Sequence, residues 1–185
     1  VLSKYLPDKG KSVTLTIDAS IQFIAERALD KAMEDTGAKH ASVIVMDPKT
    51  GEILAMANRP TYDPNHYGQG SEEDFKNIAV TNLYEPGSTF KPIIASAALA
   101  SGKWKLDQVY NDKGSFVANG HVMQNWNGEG YGPVRLIDIL KFSINTGMAE
   151  IGTTTGADIL SKYVRNYGFG SKTGIELPGE GDGIL

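Results

Sequence analysis

Apolar residues recur along this chain with two different periods, and the switches between them predict its elements. After Asp18, the residues Ile21, Ala25, Ala28, Leu29, Ala32 and Met33 fall on one face of a helix that the aspartate can cap. Ala41 to Met46 is a β-rich run, and Glu52 to Ala57 reads as its partner across the turn chemistry of Asp47-Pro48-Lys49-Thr50-Gly51. Two strands alone make a marginal sheet and leave an open edge. Asn58 to Tyr84 is polar and punctuated by Pro and Gly, as expected of a stretch that wraps the surface. From Phe90 the pattern changes again. Phe90, Ile93, Ile94, Ala95, Ala97, Ala98, Leu99 and Ala100 are apolar on nearly every face, which predicts a helix buried at the centre of a domain.

The second half is more broken. Trp104 to Val134 is loop-rich, and Phe116 to Met123 within it reads as a short hairpin with an Asn119-Gly120 turn. Leu136 to Leu140 and Met148 to Ile151 look helical. Ala157 to Tyr167 is an amphipathic helix with Ile159, Leu160, Tyr163 and Val164 inward and Gly168 as its stop. No internal repeat and no low-complexity tract interrupts the pattern.

Composition narrows the function classes. At 185 residues the chain can bury a respectable core. Its formal net charge of −4 provides no basic field for nucleic acid. There are no cysteines, hence no disulfides and no thiolate metal sites. His40, His66 and His121 lack ligand-like spacing and read as surface residues. No Gly-rich phosphate cradle is apparent, and no apolar run is long enough to cross a bilayer.

The chemistry concentrates in Glu85-Pro86-Gly87-Ser88-Thr89-Phe90-Lys91-Pro92. Ser88 and Lys91 lie three residues apart at a predicted helix start, where i and i+3 share a face and the amine can reach the hydroxyl. A serine is a poor nucleophile until a base activates it. Pro92 has no N–H and is tolerated only near a helix start, which places Ser88 at the first turn. Apolar surroundings penalise an ammonium, so Lys91 is expected to have a lowered pKa. The helix N-terminus adds positive potential for a developing oxyanion. About 55 residues on, Ser143-Ile144-Asn145 sits between the two short helical runs. Its hydroxyl and amide can project together into a cleft, or serve as an ordinary helix cap.

These two motifs, in this order, resemble the penicillin-binding protein transpeptidase family. The resemblance extends over most of the chain. Val13 to Asp18 leading into Ile21-Gln22, Val45 to Met56, and Gly168-Phe169-Gly170 through Thr173 to Glu180 all resemble segments of such domains. Lys172-Thr173-Gly174 spells that family's third motif but follows a Gly-Phe-Gly turn and precedes Leu177-Pro178-Gly179-Glu180, a loop-like context. It is therefore not expected to be the catalytic K-T-G, whose strand is expected beyond Leu185. Residues 1–185 are then expected to form the N-terminal portion of a single transpeptidase domain whose C-terminal sheet strands lie outside the chain.

What the resemblance implies is an α/β (α+β) fold related to serine β-lactamases, with a helical subdomain around Ser88 and the first strands of an antiparallel sheet. It implies acyl transfer on a peptidoglycan stem peptide, with β-lactams as mimics of the acyl donor. Ser88 would be the nucleophile and Lys91 its base. Ser143 would pass a proton to the leaving D-alanine, and Asn145 would hold the substrate amide and Lys91 in register. No metal or organic cofactor is implied. The parent protein is expected at the extracytoplasmic face of the bacterial cell membrane, anchored there and part of a wall-synthesis complex. Trp126 and Tyr131 are expected to cover the core, with a place along a substrate groove as the alternative. A D,D-carboxypeptidase, a serine β-lactamase or β-lactam sensor, and a non-catalytic wall-assembly module stay open. Without the K-T-G strand the chain alone is expected to be inactive, and its open hairpin edge suggests self-association.

Overall fold

The computed structural model describes residues 10–185. The chain divides after Asn82 into two compact units.

In the first unit, the Asp18 carboxylate accepts hydrogen bonds from the N–H groups of Ser20 and Ile21 and so starts α1 (Ala19–Thr36). Gly37, at φ 67°, ends it by donating its N–H to Met33 O. Ala25 and Leu29 are buried, whereas Ala28 and Ala32 of the predicted stripe face solvent. The buried stripe is narrow because α1 lies against one short sheet. That sheet is β1 (Ala41–Met46) paired antiparallel with β2 (Ile53–Arg59), around a turn in which Asp47 Oδ1 accepts from Lys49 N–H. Gln22 of α1 completes the backbone of β2, its side chain accepting from Met56 N–H and donating to Met56 O. Asp18 N–H and Thr16 Oγ1 donate to Leu54 O and Ile53 O, so the outer side of β2 is covered. Among the described residues β1 has no second strand partner, and Ile44 and Met46 on it are exposed. The predicted surface stretch contains a 3₁₀ helix, Pro64–Gln69, and one turn of helix, α2 (Ile78–Thr81), fastened to β2 through Asn58 and Asn77.

The second unit is built on helices. α3 (Lys91–Ala100) follows a 3₁₀ turn over Gly87–Phe90 and packs against α5 (Asn145–Thr155) and α6 (Ala157–Asn166), while α4 (Leu136–Lys141) leads into α5. Ala95, Ala98, Trp104, Leu136, Ile139, Ile144, Met148 and Ile151 form the buried core. Between α3 and α4 lie two nested antiparallel pairs. β3 (Val109–Asp112) pairs with β6 (Gly132–Arg135), and β4 (Ser115–Ala118) pairs with β5 (His121–Gln124). The inner hairpin turns where the pattern places it, with Asn119 and Gly120 both at positive φ. The outer pair escapes prediction because each strand is four residues long and one contains Pro133.

α4 and α5 approach closely at Gly147. A Cβ there would come within 2.8 Å of Ile139 Cδ1 and Cγ1. Ile139 is fully buried and has nowhere to retreat. Gly147→Ala is therefore expected to destabilise the protein by roughly 1–3 kcal/mol through overpacking. Gly152, in the same helix, has no neighbour nearer than 3.9 Å. Gly152→Ala should be neutral or stabilising by up to about 1 kcal/mol, from helix propensity alone. Urea unfolding of the two variants checks the contrast, and equal effects would contradict the close-approach account.

Candidate active site

Ser88 lies exposed on the 3₁₀ turn, and Lys91 opens α3 with Pro92 at a position where a missing N–H costs nothing. Thr89 Oγ1 donates back to Pro86 O and tightens this turn. The two motif residues thus stand where the sequence places them, at the start of a buried helix.

Their connection differs from the expected one. Lys91 Nζ donates to Ser143 O at 2.7 Å, to Ser143 Oγ at 2.8 Å and to Asn145 Oδ1 at 2.7 Å. Three donors meet three acceptors, so the ammonium is saturated without Ser88. Ser88 is reached through Ser143, whose hydroxyl donates to Ser88 Oγ at 2.8 Å. The direct Ser88–Lys91 contact expected from the i, i+3 spacing is replaced by a relay, because Lys91 turns toward the junction between α4 and α5. With Lys91 charged, every bond in the chain points from nitrogen toward Ser88. A proton can leave Ser88 along it only if Lys91 is neutral and both hydroxyls reverse.

Burial pushes the Lys91 pKa down, and among the described residues no carboxylate lies within 4 Å of its nitrogen to oppose that. Its three partners are neutral oxygens. Beside it opens a cavity of about 510 Å³, lined by Phe90, Ile94, Met123 and Met148 together with Lys91 and Asn145. The site therefore combines an exposed hydroxyl, a second hydroxyl in contact with it, and a partly desolvated amine.

Ser143 is placed by an unusual backbone. Its N–H donates to Leu140 O and the next N–H, of Ile144, to Ile139 O. This is the reciprocal pattern that ends a helix with one left-handed residue, a position glycine normally takes. Ser143 holds it at φ 54°. Ile144 then plunges fully buried into the core, and Asn145 begins α5. Neither Ser143 nor Asn145 caps α5 with its own side chain, so the helix-cap reading of this motif does not hold.

Asn145 is held in turn by residues that motif reading passed over. Its side-chain Nδ2 donates to Gln124 O and its N–H to Asn125 Oδ1. Twenty residues, including β6 and α4, separate these partners, and no spacing rule spans them. The one sequence signal is that Gln124-Asn125 directly follows the predicted hairpin. Tyr131 packs on the core and stacks against Phe142 with ring centroids 5.6 Å apart. Trp126 does not cover the core; it is 78% exposed, and Trp104 fills that role. Lys172-Thr173-Gly174 lies in a loop, where Glu180 accepts hydrogen bonds from the Thr173 N–H and hydroxyl and the Gly174 N–H.

The left-handed backbone at Ser143 costs on the order of 1–2 kcal/mol for a residue with a Cβ. A glycine there escapes that cost, and an alanine does not. Ser143→Gly is expected to be more stable than Ser143→Ala by about 1 kcal/mol, although both lose the same hydroxyl. Denaturant unfolding of the pair reads this directly, and an alanine variant as stable as the glycine would show the backbone to be unstrained.

A family model, the penicillin binding protein transpeptidase domain, matches residues 41–185. Among curated relatives, stage V sporulation protein D of Bacillus subtilis is 41% identical over 185 residues, covering 98% of this chain and 28% of that protein. The probable peptidoglycan D,D-transpeptidase PenA of Neisseria gonorrhoeae is 36% identical over 184 residues, covering 97% of this chain and 30% of its own length. The chain thus spans less than a third of either relative. Among solved structures, Pseudomonas aeruginosa PBP2 in complex with WCK 5153 superposes with a TM-score of 0.81 at 30% identity, over 92% of this chain and 40% of that one. A peptidoglycan glycosyltransferase from Burkholderia ambifaria gives the same TM-score at 29% identity, over 93% of this chain and 50% of its own. With the serine–lysine turn and the serine–asparagine junction meeting in one site, and a family model matched over most of the sequence, the chain belongs to the penicillin-binding protein transpeptidase family.

Proposed function

We propose that this chain carries the nucleophile and the proton-transfer groups of a peptidoglycan D,D-transpeptidase. The observation that carries the reading is the hydrogen-bonded series Asn145–Lys91–Ser143–Ser88, which joins an uncompensated amine to an exposed hydroxyl through a second hydroxyl. Ser88 Oγ attacks the carbonyl between the two terminal D-alanines of a stem peptide. Its proton moves to Ser143 while the Ser143 proton moves to neutral Lys91. Positive potential at the start of α3 favours the charge that develops on the reacting oxygens. When the tetrahedral centre collapses, the C–N bond breaks and Ser143 protonates the departing amine, drawing a proton back from Lys91. An amine of a neighbouring stem peptide then attacks the acyl carbon, releasing Ser88 and leaving a cross-link. A β-lactam presents a strained amide to the same hydroxyl and opens onto it. The substrate assigns the work to the extracytoplasmic face of the membrane, with the parent protein anchored there.

Intact-mass measurement of the full-length protein carrying these residues, after incubation with benzylpenicillin, tests the reading. One adduct is expected on the wild type and none on Ser88→Ala; a wild type that never reacts would remove the acyl-enzyme. The pH dependence tests the base. Lys91 accepts a proton only when neutral, so acylation should rise with pH. Burial moves that ionisation below the ordinary lysine value of about 10.4. Stopped-flow acylation rates between neutral and alkaline pH would show the rising limb, and a rate that stays flat would rule Lys91 out as the base.

A further inference from the structure

The second unit buries a carboxylate that the acyl-transfer chemistry does not use. Asp112, at the end of β3, is 3% exposed and sits among Asn125 and Thr146, which are 4% and 0% exposed. No cation accompanies it among the described residues. Its oxygens are instead filled by hydrogen bonds. Oδ1 accepts from Thr146 Oγ1 at 2.6 Å and from Gly114 N–H at 2.9 Å. Oδ2 accepts from Asn125 Nδ2 at 2.7 Å and from Tyr131 N–H at 2.9 Å. Burial raises the Asp112 pKa, but these four donors outweigh it, so the net displacement is downward and the group stays ionised.

The donors are not scattered. Thr146 is the second residue of α5, immediately after Asn145. Asn125, aimed by its bond to Asp112 and by a second one from Nδ2 to Glu129 O, turns its Oδ1 to the N–H groups of Asn145 at 3.0 Å and Thr146 at 3.3 Å. Those are two of the donors that every helix start leaves unpaired. Ile144, the residue before the helix, has no side-chain acceptor to offer. The cap of α5 is therefore supplied from twenty residues upstream, by an asparagine whose orientation Asp112 determines. The surrounding loop leaves no slack: a Cβ on Gly130 would lie 2.7 Å from Asp112 O, and one on Gly114 2.8 Å from Gly130 N.

We propose that Asp112 is a positioning residue for the Ser88 site. Through Thr146 and Asn125 it sets the first turn of α5, and with it the place of Asn145 Oδ1 beneath Lys91. The proposal rests on the acyl-transfer reading of that site for its kinetic consequence, but its geometric content does not. A buried charge is strongly favoured to keep its partners, so the turn it organises is held in one arrangement rather than several. Displacing Asn145 by a fraction of its bond length to Lys91 would leave the ammonium with two acceptors, both on Ser143, and remove the third contact that fixes how its donors are aimed.

The test uses Thr146→Val, which removes one hydroxyl at constant shape, with Thr146→Ser as the rescue and Asp112→Asn as the more drastic change. In the full-length protein, benzylpenicillin acylation is separated into the noncovalent binding constant and the acylation rate constant. Thr146→Val is expected to slow acylation roughly 10- to 100-fold with binding unchanged, as loss of reacting geometry does. Thr146→Ser should restore the rate, and Asp112→Asn should lower it at least as far as Thr146→Val. A melting temperature that falls while the rate constant holds, or a serine variant as slow as the valine one, would overturn the proposal and leave Asp112 a structural staple. A geometric readout runs in parallel: amide hydrogen exchange at Asn145 and Thr146, and the ¹³Cε resonance of Lys91, in each variant. Faster exchange and a displaced lysine resonance in Thr146→Val are expected; unchanged values overturn the proposal. Should the wild type fail to acylate while these signals move as expected, the acyl-transfer reading falls and the positioning role stands.

Discussion

One ammonium group sets the terms for the second unit of this protein. Lys91 points three donors at three oxygens, two from the three-residue junction that joins α4 to α5 and one from the first residue of α5. That junction must satisfy opposing demands. It has to stop one helix, turn, and start another, while presenting a hydroxyl, a carbonyl and an amide oxygen to a single point. The left-handed backbone at Ser143 meets the first demand in one residue, and the buried Ile144 fixes the turn to the core. The close contact of Gly147 with Ile139 then sets how near the helices lie. A Cβ at 147 would suit helix propensity but collide with Ile139, and a missing Cβ at 143 would relieve the backbone but remove the hydroxyl that Lys91 meets.

The costs of this arrangement are of two kinds. Removing a charge from water without a counter-ion disfavours the charged form of Lys91, and a serine in the left-handed region carries backbone strain. The three hydrogen bonds from Lys91 offset part of the first cost at the site, but not the rest. The repayment lies in the apolar layer behind it, where Ile139, Ile144 and Ile151 are completely buried against α3. A site strained in this way requires a firm support, and the helices that carry it are also the best-packed part of the unit. Among the described residues nothing comparable is seen in the first unit, where α1 covers one hairpin with a narrow stripe and uses Gln22 to complete the backbone of β2.

What could be read from sequence follows from how local each interaction is. Asp18 as a cap, the turn after Met46, the Asn119-Gly120 hairpin and the burial of the helix after Ser88 are all decided within a few residues. All appear where the pattern puts them. The pairing of β3 with β6 depends on contacts between residues at least twenty positions apart, on strands too short to show a period, and the sequence carries no local sign of it. Trp126 and Trp104 look alike as residue types; only tertiary packing decides that one is exposed and the other buried. The motif residues were found because their chemistry is unusual for their spacing. Asn125 was not, because an asparagine after a hairpin looks like turn chemistry until the helix it caps is folded against it.

The relay through Ser143 also explains why a lysine suits this position better than a stronger acceptor would. While charged, Lys91 has no lone pair and acts only as a donor, so it organises the junction and keeps Ser143 aimed at Ser88. On losing one proton it keeps two donors, enough to retain two of its three oxygens, and gains a single acceptor site. The one bond that must reverse is the one to a hydroxyl, since Ser143 Oγ can donate as readily as accept, whereas Ser143 O and Asn145 Oδ1 cannot. In the proposed acyl transfer, the asymmetry of the three partners therefore directs the proton path. Two carbonyl-type oxygens hold the amine in place, and the hydroxyl alone is left to carry a proton between it and Ser88.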